Sequence, residues 1–291
     1  MSNIQLKDIR EILSGNEELA DFIVNNLRSS LSSIGFSKAC LNDLLSDLSN
    51  LDVKKFGEKW REELKQIYSL GFFQNLAPNY FAKYVVPVTP SSEKIIDVGC
   101  GTGILAKLYS QEKRFGQVVG IDINPYPEWK QFQSKTVRFA IITEEEFTDF
   151  LQREKPDSVV LTWTLHHMEY DEQGRYLGYI NGNLPKNAKL VILDDSYSNN
   201  LKPENGLERY KEFMQWDDED RKKIMAVYDW VANRVLAQRE KVTIPAAYRS
   251  LEEWSALLEQ SGFKPVLQKF IGFPDNRDIN TPQSLIVAQK T

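Results

Sequence analysis

A carboxylate followed by three glycines at every second position is the part of this 291-residue chain best suited to chemistry. Residues 95–98 are apolar apart from Asp97, and Gly99, Gly101 and Gly103 follow. Alternate residues without a Cβ let the backbone turn sharply and let a ligand lie against the main chain. The residues after Gly103 fit a helix start, whose free N–H groups favour anionic or electron-rich groups. The pattern predicts a strand, a nucleotide-binding loop and a helix.

The same loop argues against a nicotinamide or flavin dinucleotide. A dinucleotide fingerprint needs glycine at the sixth position of its loop, where this chain has Ile104, and it does not need the carboxylate of Asp97. A glycine-rich turn after a strand is also common as a plain tight turn, so the loop alone leaves a structural role open.

The pattern Asp-x-Gly-x-Gly-x-Gly at 97–103 resembles motif I of the class I S-adenosylmethionine-dependent methyltransferases. The resemblance covers roughly residues 91 to 291, because later elements of the family follow in the same order. The first of them is an apolar strand that ends at Asp122. The segments that resemble the family's second, fourth, fifth, sixth and seventh strands, with their flanking residues, are 117–121, 157–168, 189–195, 257–263 and 284–288.

The resemblance implies a site for S-adenosylmethionine at this end of the sheet. Asp122 would accept hydrogen bonds from both ribose hydroxyls, because a carboxylate accepts two at once; as an alternative it would be a solvated strand-end carboxylate or a helix cap. Asp97 would face the cofactor's amino group or hold the N–H groups of the loop. The adenine would lie near 141–144, where the chain departs from the family's usual acidic-small pair. The expected cofactor-binding residues are Asp97, Gly99, Cys100, Gly101, Gly103, Asp122, Ile123, Thr143, Glu144 and Thr162.

His166 and His167, the only histidines of the chain, fall together after the fourth predicted strand. In the family this loop faces the substrate, so His167, or else His166, is a candidate catalytic base for a substrate hydroxyl, since imidazole titrates near neutral pH. The alternative, of equal weight, is that one histidine packs under the loop and hydrogen-bonds the backbone. The expected substrate-binding residues are Trp163, Tyr170, Trp230 and Arg234.

Other reactive side chains indicate no further chemistry. Asp194 and Asp195 follow the fifth predicted strand, but a hard-metal site needs several oxygens from different elements, so we expect no metal. The two cysteines, Cys40 and Cys100, do not make a disulfide framework. Cys100 has no neighbouring base in the sequence, and we interpret it as a packing residue of the loop.

Helical periodicity dominates before residue 91, and strands alternate with helices after it. Two prolines, at 87 and 90, make a stiff connection to the first strand. The alternation predicts an α/β, doubly wound, mostly parallel sheet, with seven strands in the Rossmann-like methyltransferase fold that the resemblance implies. We expect a helical lid or substrate segment at 1–90 and a cofactor-binding domain at 91–291, with a helical insertion at about 199–240 that lies over the site.

Composition excludes several classes of partner. The chain has 36 Lys and Arg against 41 Asp and Glu, and it has no basic cluster that would neutralise a row of phosphates, so we do not expect nucleic acid. No apolar run reaches the ~18 residues of a membrane span, and the amino terminus lacks an apolar signal core. We expect a cytoplasmic protein that does not bind membranes.

These observations favour transfer of a methyl group from S-adenosylmethionine to a small, apolar or aromatic molecule, with a hydroxyl acceptor favoured over nitrogen or carbon. Two alternatives stay open, a protein or peptide methyltransferase and a protein that binds S-adenosylmethionine without catalysis. The acceptor lies in a pocket built from distant helices, so its identity and the oligomeric state do not follow from the sequence.

Overall fold

The strand that leads into the glycine loop lies within a seven-stranded sheet in the computed structural model, which describes residues 3–274 and 281–291. The strands are β1 (Ser92–Val98), β2 (Phe115–Asp122), β3 (Val137–Ile141), β4 (Ser158–Thr162), β5 (Lys189–Asp195), β6 (Phe263–Gly272) and β7 (Gln283–Lys290). Their order is β3-β2-β1-β4-β5-β7-β6. β1 to β5 are parallel, and β7 runs antiparallel between β5 and β6. The predicted doubly wound, mostly parallel sheet is therefore confirmed.

The sheet brings the ends of its central strands to one edge. Val98 at the end of β1 pairs with Ile121 of β2 on one side and with Leu161 of β4 on the other. Every residue of β4 is buried, as expected for a parallel strand with both faces covered by helices. The residues just beyond these strands therefore converge, and this edge is where open α/β sheets bind ligands.

Helices fill the chain before the sheet. The last of them, between residues 64 and 84, combine a π-helix at Leu64–Leu76 with a helix that carries three buried aromatic rings. The helices of this segment are α1 (Leu6–Gly15), α2 (Glu17–Ser33), α3 (Lys38–Leu45), α4 (Val53–Lys59), α5 (Arg61–Glu63) and α6 (Ala77–Tyr84).

The helices of the sheet domain connect successive strands. Among them, the helix at 144–154 begins with a capping box, in which Thr143 is the N-cap and Glu146 accepts its N–H at 3.1 Å. The connecting helices before β5 are α7 (Ile104–Ser110), α8 (Trp129–Phe132), α9 (Glu144–Glu154) and α10 (Tyr170–Asn183).

A helical insertion separates β5 from the last helix. It contains α11 (Leu207–Phe213), α12 (Asp218–Trp230), a π-helix at Val231–Leu236 and the irregular stretch after it, and it leads to α13 (Leu251–Gln260). Eight of the thirteen α12 residues are buried, among them Asp229. α12 is thus a core helix that carries a carboxylate inward.

The amino-terminal helices and the insertion pack on each other. α2 contacts α12, and the rings of Phe22 and Trp216 lie 5.5 Å apart. Near the amino terminus the Ile4 N–H donates to the Ile244 carbonyl at 2.8 Å. These two parts therefore form one layer.

In the described residues, no helix has the length and apolar character needed to cross a lipid bilayer. Both cysteines are free thiols, Cys40 buried and Cys100 half-buried.

Candidate active site

The glycine loop adopts a backbone that side chains rarely allow. Gly99, Gly101 and Gly103 have φ values of +67°, +51° and +84°. A Cβ on Gly99 would lie 2.7 Å from Thr164 Oγ1, and one on Gly103 would lie 2.5 Å from the Phe139 ring. A Cβ on Gly101 would meet no atom within 4 Å. Gly99 and Gly103 thus leave room for the side chains of Thr164 and Phe139, whereas Gly101 borders the space that a ligand would fill.

Asp122 ties the end of β2 to this loop. Its Oδ2 accepts the Gly101 N–H and its Oδ1 accepts the Asn124 N–H, both at 3.0 Å. On the other side, Trp129 Nε1 donates to the Gly101 carbonyl at 2.8 Å and its ring stacks on Phe139 at 5.2 Å. The sequence offered no spacing signal for Trp129, because its contact with the loop depends on how α8 folds back.

Asp97 is a fully buried carboxylate in β1. It is 0% exposed, and neither oxygen has a partner of good geometry among the residues that the structure describes. Burial, and to a smaller extent the nearby Asp122 carboxylate, raise the pKa of Asp97 to about 8, and the Ala106 N–H has a smaller opposite effect. Such a site fits a ligand that brings a positive charge, as the amino group of S-adenosylmethionine does.

We expect S-adenosylmethionine binding to release a proton from Asp97. Because its folded pKa lies above the ordinary 3.8, Asp97 holds a proton in the ligand-free protein, and its contribution to stability declines as the pH rises from about 4 to about 8. An ammonium group at this site favours the ionised form, so binding at pH 6.5 should release up to one proton. Calorimetry in buffers of different ionisation enthalpy measures this release. Buffer-independent heats in the wild-type protein, or unchanged buffer dependence in Asp97→Asn, would contradict the assignment.

The remaining predicted cofactor residues lie at or just beyond the ends of β1 to β4. Ile123 and Ile141 are apolar side chains 71% and 50% exposed on either side of the Asp122 carboxylate, and they are suited to cover a flat ring. Cys100 packs its thiol toward Gly120, and burial raises its pKa, which argues against a nucleophile. Of the other three predicted residues, Thr143 caps α9, Glu144 is exposed in its first turn, and Thr162 is buried at the end of β4; their role toward the cofactor stays a prediction.

His166 is fixed in the loop after β4 by one carboxylate. Asp194 Oδ2 accepts the N–H groups of Leu165 and His166 at 3.0 and 3.2 Å, and Oδ1 pairs with His166 Nδ1. Burial alone lowers the pKa of His166, but the Asp194 and Asp195 carboxylates raise it to about 10. The two carboxylates therefore favour the charged form of His166, which suits the structural role better than the role of a base.

The surroundings of His167 favour the neutral form of its imidazole. Its Nδ1 lies 2.8 Å from the Thr243 carbonyl, which only accepts, so Nδ1 carries the proton and Nε2 has the lone pair. Burial lowers the pKa of His167 well below 6.5, and the positive charges of His166, Arg239 and Arg234 lower it further. The side chain is 24% exposed. His167 is a neutral imidazole positioned by the insertion.

An aromatic cluster lies against the same loop. Trp163 has φ +51°, an unusual value for a bulky residue, and its Nε1 donates to Gln283 Oε1 at 2.6 Å. Its ring stacks with Tyr80 at 5.8 Å and meets Phe81 and Phe72 at 4.9 and 6.0 Å. We call Phe72, Tyr80, Phe81 and Trp163 the aromatic cluster. It joins the amino-terminal helices to the end of β4.

The other three predicted substrate residues have contacts with the protein. The Tyr170 hydroxyl donates to the Tyr248 carbonyl at 2.9 Å, and Trp230 is 3% exposed in α12. The guanidinium of Arg234 donates to the carbonyls of Arg239 and Val242. Arg234 thus shapes the chain segment that ends at the Thr243 carbonyl. Of the four, Trp163 lies in the loop that carries the histidines, and Arg234 acts on His167 through its charge.

Ligand atoms of His166, His167 and Asp229 come within 4.8 Å of one another, the spacing of a possible metal site. Asp229 Oδ1 accepts from Asn233 Nδ2 at 2.6 Å and Oδ2 accepts from the Tyr248 hydroxyl at 3.1 Å, while both histidines use Nδ1 toward protein oxygens. These contacts make a hydrogen-bonded cluster in which the three side chains already have protein partners. The absence of a metal stays a prediction.

The sheet order with an antiparallel β7, the acid–glycine loop after β1 and the carboxylate that ends β2 together define a class I S-adenosylmethionine-dependent methyltransferase domain. Buried Asp97 and the open space beside Gly101 fit that cofactor. Residues 73–268 match the profile of a family described as a methyltransferase domain, and the chain belongs to this family.

Known relatives are distant. An uncharacterized methyltransferase of Alkaliphilus oremlandii (strain OhILAs) is 26% identical over 35% of this chain and 45% of its own length. Another, from Geobacillus sp. (strain WCH70), is 24% identical over 53% of this chain and 73% of its own length. The chain thus spans less than half of the first relative. The pyocyanin biosynthetic protein PhzM has a similar fold, with a TM-score of 0.51 and 16% identity over 88% of this chain and 68% of PhzM.

Proposed function

We propose that this protein transfers a methyl group from S-adenosylmethionine to a hydroxyl of a small aromatic or apolar molecule, with His167 as the base. The observation that carries the proposal is the Nδ1 contact of His167 with the Thr243 carbonyl at 2.8 Å, which leaves the Nε2 lone pair for an acceptor. A hydroxyl needs such a base, whereas an amine acceptor that binds in its neutral form does not.

Bound S-adenosylmethionine supplies a methyl group on a sulfonium, which is reactive toward an aligned nucleophile. Asp122 and the Gly101 loop would hold and orient this cofactor. His167 Nε2 would then accept the hydroxyl proton as the new oxygen–carbon bond forms and the carbon–sulfur bond breaks. The sulfonium's positive charge is lost, S-adenosylhomocysteine is the product, and the imidazolium passes its proton to water. The protein's main contribution is alignment, together with the exclusion of water.

The elements that pack around His167 support the proposal that the methyl acceptor is a small molecule. The amino-terminal helices reach the end of β4 through the rings of Tyr80 and Phe81 on Trp163, and the insertion reaches it through the Thr243 carbonyl. Two elements that converge on one loop leave little room for a folded protein substrate. The aromatic rings favour a flat apolar acceptor, since ring pairs gain about 0.5–1.5 kcal/mol beyond their buried area.

A panel of phenols and their methyl ethers tests the proposal. We expect hydroxyl-bearing compounds to stimulate S-adenosylhomocysteine release from the purified protein, while the matched ethers, which have no acceptor hydroxyl, give the background rate. Release with peptides alone would favour a protein methyltransferase. Cofactor binding without release across the panel would favour a protein that binds S-adenosylmethionine without catalysis.

A further inference from the structure

A buried carboxylate of the insertion lies behind His167. Asp229, in α12, is 5% exposed, and its Oδ2 is 3.9 Å from His167 Nδ1. Its oxygens accept from the Tyr248 hydroxyl and from Asn233 Nδ2, at 3.1 and 2.6 Å. These two neutral donors hold the carboxylate in place without cancelling its charge. A buried anion is costly unless positive charge lies near it, and the charged His166 supplies part of that charge.

The charges around His167 make its protonated form unfavourable. The His166 ring lies against it, tilted by 49° with ring centroids 4.0 Å apart, and Arg234 and Arg239 of the insertion add further positive charge. Asp194 and Asp195 of β5 lie behind His166 and act on that ring. Among the ion pairs of the described residues, Asp229 is the anion that lies within 4 Å of His167. An imidazolium formed at His167 would therefore depend on this carboxylate.

We propose that Asp229 is a positioning residue for His167, and that its carboxylate stabilises the imidazolium formed when His167 accepts a proton at Nε2. This inference rests on the proposed function for its catalytic meaning. The His167 Nδ1–H keeps its bond to the Thr243 carbonyl while Asp229 balances the new charge from 3.9 Å away. An anion at this range stabilises a cation through space even without a direct hydrogen bond. The insertion would thus supply the electrostatic support of the base as well as covering the site.

The two histidines make the proposal measurable without any acceptor, because His166 and His167 are the only histidines of the chain and therefore give its only imidazole NMR signals. His167 should titrate at lower pH in Asp229→Asn than in the wild-type protein, with about a tenfold loss of proton affinity, which equals about one pKa unit. Burial raises the pKa of Asp229, while His166, Tyr248 and Asn233 oppose this effect. Because the pKa of His167 lies well below 6.5, the titrations should start at the lowest pH at which each variant stays folded.

Two further variants serve as controls for the titration of Asp229→Asn. Asp195→Asn removes a carboxylate that acts on His166 and should leave the His167 curve unchanged. Tyr248→Phe keeps every carboxylate and removes one hydrogen bond to Asp229, so it should shift His167 in the same direction by a smaller amount. Circular dichroism checks that each variant is folded. The same His167 curve in the wild-type protein, Asp229→Asn and Tyr248→Phe would overturn the proposal, as would an equal shift in Asp195→Asn.

A kinetic measurement separates positioning from a structural role. In Asp229→Asn, methyl transfer to a phenol should fall about 10- to 100-fold near neutral pH, while the KM for S-adenosylmethionine stays within about twofold. The loss should shrink as the pH approaches the pKa of the phenol, because a phenolate needs no base. An equal loss at every pH would overturn the proposal. Unchanged turnover in a His167 variant would refute the proposed base while leaving the titration result intact.

Discussion

Replacing His167 by alanine should lower methyl transfer about 10²- to 10⁴-fold, the usual contribution of a positioned base, while S-adenosylmethionine affinity stays unchanged. Turnover and cofactor affinity should respond separately because His167 and the cofactor-binding residues lie at different places in the site. His167 contacts the Thr243 carbonyl of the insertion, and the cofactor determinants lie at the ends of β1 and β2. Steady-state kinetics and calorimetry on the same preparation measure both quantities.

Added imidazole provides the control for His167→Ala. If the lost group is a base, free imidazole in the emptied space should restore part of the turnover, and its effect should follow the fraction of neutral imidazole as the pH changes. If the ring only fills space, imidazole restores activity without that pH dependence. Full turnover in His167→Ala would end the assignment of this residue as the base.

Replacing Asp122 by alanine should weaken S-adenosylmethionine binding by about 1.5–3 kcal/mol, the usual contribution of hydrogen bonds to a charged group. The substitution removes the expected acceptor for the ribose hydroxyls. It also frees the Gly101 N–H, which Asp122 now accepts at 3.0 Å, so the loop loses a contact that shapes it. Isothermal titration calorimetry measures the affinity directly.

Asp157 offers a matched control. Like Asp122 it accepts two backbone N–H groups, those of Glu93 and Lys94 at 3.0 and 2.9 Å, but it lies at the opposite edge of the sheet. Asp157→Ala should lower thermal stability with the cofactor affinity unchanged. Equal losses of affinity in both variants would mean that Asp122 acts only through the fold, and wild-type affinity in Asp122→Ala would refute its role.

The sequence was sufficient for the sheet and its glycine loop, because their signals are local. An apolar strand, alternate glycines and a carboxylate at each of two strand ends are read within a few residues. The antiparallel β7 also agrees with the family's element order. The predicted strand at 284–288 lies inside the observed Gln283–Lys290.

The environment of the two histidines could not be read in the same way. His166 and His167 are adjacent in sequence, yet one is charged by Asp194 and the other is neutral against Thr243. Their partners stand 28 and 76 positions away, so only the tertiary fold assigns their roles. The sequence did not single out Asp229 either, because it lies in a helix whose pattern of apolar residues is typical of a core helix.

A crystal structure with S-adenosylhomocysteine and a phenol acceptor tests the central claim most directly. We predict that the ribose hydroxyls bind Asp122, that the amino group binds Asp97, and that the acceptor oxygen lies within about 3 Å of His167 Nε2. That oxygen should also lie in line with the cofactor sulfur, about 3–3.5 Å from where the methyl carbon would be. A sulfur that faces away from His167, or a ribose bound without Asp122, would contradict the central claim.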